Sequence, residues 1–133
     1  MKTQGSVVVD IKNFSMPNPN QPGTNIVYAS IEGPEAAAYI RGTVHLISGT
    51  ATIILPDHFI AVASESSVTV QLTPLSADSQ GLAVVSKRLT GIVIKELFKG
   101  TGTYDVDYLV TAVRKGYENY QVIEPAPAKP ITT

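Results

Sequence analysis

Apolar and polar residues alternate with a period of two through much of the chain. From residue 39 to 47, Ile40, Val44 and Leu46 fall on one side and Arg41, Thr43 and His45 on the other. That is the pattern of a strand with one buried face. Val68, Val70 and Leu72 alternate in the same way with Thr69, Gln71 and Thr73. Further strands are expected over residues 6–11, 25–31, 51–55, 82–88, 92–97 and 104–114, with a short last one over 120–123. Turn chemistry suggests three hairpins, at Ser48-Gly49, at Thr90-Gly91 and at Gly100-Thr101-Gly102. In each, glycine supplies the positive φ that tight reversals need. Strands recurring every eight to twelve residues predict an all-β fold, an antiparallel β-sandwich or flattened barrel of about seven to nine strands. Val44, Leu46, Ile54, Val70, Leu72, Val84, Ile94, Tyr108 and Val110 are its expected core.

The segments between these strands read differently. Residues 12–24 hold Pro17, Pro19 and Pro22 with three asparagines, and are expected to form a long ordered loop anchored by Phe14 and Met16. Residues 35–39, opened by Pro34, have the composition of one helical turn; the other reading is a tight loop leading straight into a strand. No amphipathic helix longer than two turns is evident. Residues 1–123 form one domain in this reading. Residues 124–133, with Pro125, Pro127 and Pro130, form an extended tail, because proline has no N–H to give a central ladder.

Composition supports a β fold and narrows the chemistry. Valine, isoleucine and threonine number 15, 12 and 13, and their branched β-carbons suit a pleated surface. The 44% hydrophobic content is enough for a core, and the 133 residues fit one domain. A formal charge of −1 gives no field to attract nucleic acid. The absence of cysteine removes disulfides, thiolate metal sites and thiol nucleophiles. No apolar run approaches the roughly 18 residues of a helical membrane span, and Val7, Val8 and Val9 are too short a run for a signal peptide.

Candidate chemistry is sparse. His45 belongs to the polar side of a strand and His58 to a Pro-Asp-His-Phe turn, so neither has a metal-ligand or nucleophile context. Glu32 and Glu35 flank Gly33-Pro34, with Arg41 downstream. The favoured reading is an ionic or capping cluster that fixes the turn; the competing one is an acid/base pair, although glycosidases draw their two acids from separate elements. Asp105 and Asp107 share one face of the last long strand, too few oxygens for calcium, and read as a solvated pair that discourages edge aggregation. Tyr39, Arg114, Lys115, Tyr117 and Tyr120 are the candidate binding residues. Aromatic rings beside cations can hold sugars or anions, and they also serve as packed strand ends. No catalytic residue, metal or cofactor is expected.

Several segments in order resemble a known family. They are Lys12-Asn13-Phe14 with the Pro/Asn loop, Tyr28-Ala29-Ser30-Ile31-Glu32-Gly33-Pro34-Glu35, Tyr39-Ile40-Arg41-Gly42, residues 49–59 around Leu55-Pro56-Asp57-His58-Phe59, Val70-Gln71-Leu72-Thr73-Pro74-Leu75, and residues 110–117 ending Arg114-Lys115-Gly116-Tyr117. Together, over residues 12–123, they resemble the β-rich C-terminal module of phage tail-fibre-like and bacterial or viral surface fibre proteins. The family often has His where Ala29 stands, so no chemistry of that histidine is carried over. The resemblance implies a non-enzymatic structural and recognition module of a fibre, a homotrimer located on a virion, a phage-tail-like particle or an extracellular surface fibre. It also implies contact with a surface glycan or protein receptor, and neither nucleic-acid binding nor membrane insertion. The alternative is a free-standing carbohydrate-binding module using Tyr39, Tyr117 or Tyr120 as platforms, against which the lack of tryptophan counts.

Overall fold

The computed structural model of the chain describes residues 13–29 and 33–126. The expected strand over 6–11, Glu32 and the end of the tail lie outside the described residues. Within them the chain forms eight strands and one short helix: β1 Asn13–Pro17, β2 Asn25–Ala29, β3 Ala37–Leu46, β4 Thr50–Ile53, α1 Asp57–Val62, β5 Thr69–Pro74, β6 Leu82–Arg88, β7 Gly91–Glu96 and β8 Tyr104–Val113. All pairings are antiparallel. The strands make two three-stranded sheets, ordered β3-β8-β5 and β4-β7-β6, and a two-stranded β1-β2 ribbon.

The longest strand, β8, is the centre of the first sheet. Its even residues Val106, Val110 and Ala112 are buried, as is Ala38 of β3. Its odd residues pair outward with β3: Asp105 with His45, Asp107 with Thr43, Leu109 with Arg41, Thr111 with Tyr39. The second sheet mirrors this through β7, whose Ile92 and Ile94 are fully buried while Val93 and Lys95 face outward. Leu46, Ile53 and Phe59 complete the layer between the sheets. The fold is an open, flattened sandwich and not a closed barrel, since no ladder joins β5 to β6.

Several sequence expectations need correction. The Ser48-Gly49 turn forms, with Ser48 at φ 49° and Gly49 at φ 81° and reciprocal bonds between Ile47 and Thr50. It does not make a hairpin, because β3 leaves for β8 and β4 for β7. The segment at Gly100-Thr101-Gly102 likewise carries the chain from one sheet to the other. Of the three expected hairpins only that at Thr90-Gly91 continues into a ladder between its own two strands, with Arg88 opposite Gly91 and a bulge between Val84 and Ser86. The expected loop over 12–24 contains β1, in which Phe14 is buried and Met16 packs on the core. Proline is tolerated there because Pro17 ends the strand of a two-stranded ribbon. Residues 33–35 form a bend leading straight into β3, not a helical turn.

The Pro-Asp-His-Phe segment is a helix, α1, rather than a turn. Phe59 and Val62, one turn apart, are both buried by it. It closes one end of the sandwich: Lys115 N–H donates to the Val62 carbonyl at 2.7 Å and Ser64 N–H to the Val113 carbonyl at 2.9 Å. Ile54 is 69% exposed where burial was expected, and its neighbours Ile53 and Leu55 are the buried pair. Residues 120–123 form no strand; they are exposed and follow turns closed at Arg114 and Tyr117.

Candidate functional site

The predicted binding residues separate into two places. Arg114 extends the inward side of β8 past the end of the ladder. Its guanidinium carbon lies over two rings, 4.0 Å from the centroid of Phe14 and 4.2 Å from that of Tyr117. Phe14 then meets Tyr28 at 5.3 Å between centroids, and Tyr28 meets His58 edge-on at 5.7 Å. The Tyr28 hydroxyl and His58 Nδ1 are 2.5 Å apart. Burial pushes the Tyr28 hydroxyl up to about 12, so it keeps its proton. This row joins the β1-β2 ribbon to α1 and to the end of β8. Lys115 and Tyr120 lie nearby in sequence, both exposed and outside the stack. The row is cohesive packing, with the Arg114 guanidinium engaged by both the Phe14 and the Tyr117 ring.

Tyr39 is elsewhere, on the outward side of β3 and 41% exposed. It separates two concavities. One, of about 310 Å³, is walled by Pro34, Glu35, Tyr39, Leu109 and Thr111, where the bend after Gly33 folds towards the outer face of the sheet. The other, of about 430 Å³, lies between β2 and the edge of β3 that pairs with no described strand, and is lined by Val27, Ala29, Tyr39, Ile40 and Arg41. Glu35 is exposed, and no ion pair links it to Arg41. The expected cluster of Glu35 and Arg41 around Gly33-Pro34 is therefore not assembled between these two side chains. Asp105 and Asp107 each accept a cross-strand bond, Asp105 from His45 at 2.7 Å and Asp107 from the Thr43 hydroxyl at 2.6 Å.

A third polar centre escaped sequence reasoning. Glu96 is 7% exposed at the end of β7. Its carboxylate accepts from the Tyr104 hydroxyl at 2.7 Å, Gly102 N–H at 2.8 Å and Gln80 N–H at 3.2 Å. These donors, the Tyr104 bond foremost, hold it below the usual carboxylate range. The Ser79 hydroxyl lies 2.7 Å from that of Tyr104 and extends the network. The signal was available: Glu96 has the inward parity of Ile92 and Ile94, and a carboxylate in that phase must find donors. The network ties the loop before β6 to the crossover before β8, and every lone pair it uses is committed to structure. Among the described residues no group of three or more histidine, aspartate or glutamate side chains is arranged to hold a metal ion. No family model, curated protein or solved structure matches this chain.

Proposed function

We propose that the chain is a non-enzymatic structural and recognition module of a fibre, a tail-fibre or surface-fibre tip that assembles as a homotrimer and contacts a cell-surface receptor. The observation that carries the reading is the contrast between the outer faces of the two sheets. The face of β3-β8-β5 presents Arg41, Thr43, His45, Asp105, Asp107, Gln71 and Thr73, groups that water satisfies, with Tyr39 and Leu109 as its exposed apolar side chains. The side of β4-β7-β6 presents Thr52, Ala83 and Val93 together with Thr50, Ser86 and Lys95, and the exposed Ile54 and Val85 adjoin it. The apolar, β-branched part of that face favours burial against a partner, worth about 25 cal/mol per Å² of apolar surface removed from water. Closed symmetry is the rule for such contacts, and three copies follow from the resemblance to fibre modules. In this arrangement the polar sheet faces outward, toward a receptor on a cell surface.

Sedimentation equilibrium tests the assembly. The expected mass is three times the 14.1 kDa of the chain. A monomer across micromolar to millimolar concentration overturns the assembly, and a clean dimer overturns the fibre geometry. The second reading, a free-standing carbohydrate-binding module, is favoured by the exposed Tyr39 ring between two concavities; a monomer that binds glycan would select it.

A further inference from the structure

We infer that the two concavities flanking Tyr39 form one binding site for a neutral oligosaccharide of at least two pyranose units, with the Tyr39 ring as its platform. The inference deepens the receptor-contact part of the fibre reading and rests on it for its biological setting, while its physical basis is local. The ring is held by β3 at a register position opposite Thr111, so a rigid sheet and not a loop fixes its place. It is 41% exposed, and it is shared by the pocket of about 310 Å³ and the cleft of about 430 Å³. A single pyranose fills a space smaller than either, so a ligand that uses both must continue past the ring.

The chemistry of the rim selects the class of ligand. Glu35 borders the first concavity and Arg41 the second, and the Tyr39 ring borders both. Neither side chain has a hydrogen bond or ion pair to a described residue. An anionic ligand would gain from Arg41 and be repelled by Glu35; a cation would meet the reverse. A polyhydroxylated neutral ligand satisfies both, since each hydroxyl donates to a carboxylate and accepts from a guanidinium. The remaining walls suit the other aspect of a sugar. Leu109, Pro34 and the Tyr39 ring are apolar, matching the C–H face of a pyranose, and the Thr111 hydroxyl adds a donor and acceptor on the same side. Quaternary ammonium groups are held by several rings around one cation, and here one ring stands alone between charges of both signs. A hydrophobic peptide would leave Glu35 and Arg41 desolvated without partners, at a cost no apolar contact beside them offsets.

The test is an NMR titration of the isotope-labelled full chain with four neutral disaccharides: cellobiose, maltose, lactose and N,N′-diacetylchitobiose. Weak binding at about millimolar Kd is the scale expected for a shallow site. The expected result is that at least one of the four shifts the amide resonances of residues 33–41 and 109–111 in a saturable way. Tyr39→Ala should then weaken binding about tenfold, Tyr39→Phe should retain most of it, and Glu35→Gln should weaken it several-fold. Both side chains altered are at the surface, and a thermal melt of each of the three variants checks that the fold persists. Absence of saturable shifts with all four sugars overturns the inference, as does binding that Tyr39→Ala leaves unchanged. The outcome is separable from that of the assembly reading: a trimer that ignores these sugars removes the site and keeps the fibre, and a monomer that binds them does the opposite.

Discussion

Single residues fix two of the places where this fold could not tolerate ordinary substitutions. Gly49 sits at φ 81°, and a β-carbon there would overlap the Gly100 carbonyl oxygen. Gly49 also donates its N–H to Gly102 O at 2.8 Å and accepts from Glu96 N–H at 2.8 Å, so the turn between β3 and β4 is pressed against the crossover before β8. Gly49→Ala should cost about 2–4 kcal/mol, combining positive-φ strain with displaced backbone, and a denaturant melt would show it. Glu96 predicts a pH dependence. Its folded carboxyl is held below the usual range, so the stability it contributes is present above its unfolded value and lost as pH falls through the folded one. The melting temperature should therefore fall as pH drops below about 4.3, the ordinary carboxylate value. In Glu96→Gln the neutral-pH stability should be lower and the acid-side slope shallower than in the parent chain. Equal slopes in the two proteins would assign the acid sensitivity to other carboxylates, Glu118 among them, which is also held low by its hydrogen bonds.

At the scale of elements, alternation was legible wherever one face met the core and the other met water. The strands β3, β5 and β8 follow that rule nearly residue by residue, with Leu46, Val106 and Val110 fully buried and His45, Asp105 and Asp107 exposed. The rule gives no phase where both faces are apolar. In Ile53-Ile54-Leu55 the period is lost, and Ile53 and Leu55 point inward while Ile54 does not. The two isoleucines thus make a direct comparison: Ile53→Ala should cost about 2–4 kcal/mol in a denaturant melt of the monomer and Ile54→Ala under about 0.5 kcal/mol. A result in the opposite order would put β4 in the other register. Turn chemistry located chain reversals but not partners, because Ser48-Gly49 specifies local dihedrals and says nothing about which edge each strand joins. Helix α1 is six residues long, too short for a period, and its cues were Pro56 before Asp57 with Phe59 and Val62 one turn apart. The candidate site was half legible. Tyr39 could be placed on an outward face from its neighbours, but the stacking of Arg114 on Phe14 depends on a contact across about a hundred residues, which no local pattern encodes.

For the whole molecule, the proposed trimer makes a demand on one face that can be checked without knowing the receptor. The outer side of β4-β7-β6 carries Ile54 at 69% exposure and Val85 at 53% in the isolated chain. A lysine at either position costs the monomer little, because the side chain already reaches water. In an interface the same lysine would have to lose its hydration without a partner, at a cost of about 2 kcal/mol or more per contact. Lys95, outward and exposed on the central strand β7, shows that this face of the isolated chain already carries one amine. Ile54→Lys and Val85→Lys are therefore expected to sediment as folded monomers at concentrations where the parent chain is a trimer. Their melts should match that of the parent chain diluted to monomer. Leu109→Lys, on the polar sheet opposite, should leave the trimer intact. If the two lysine variants remain trimeric while Leu109→Lys dissociates, the contact face is β3-β8-β5, the Tyr39 concavities lie at or beside the interface, and the outward orientation of the recognition surface is wrong.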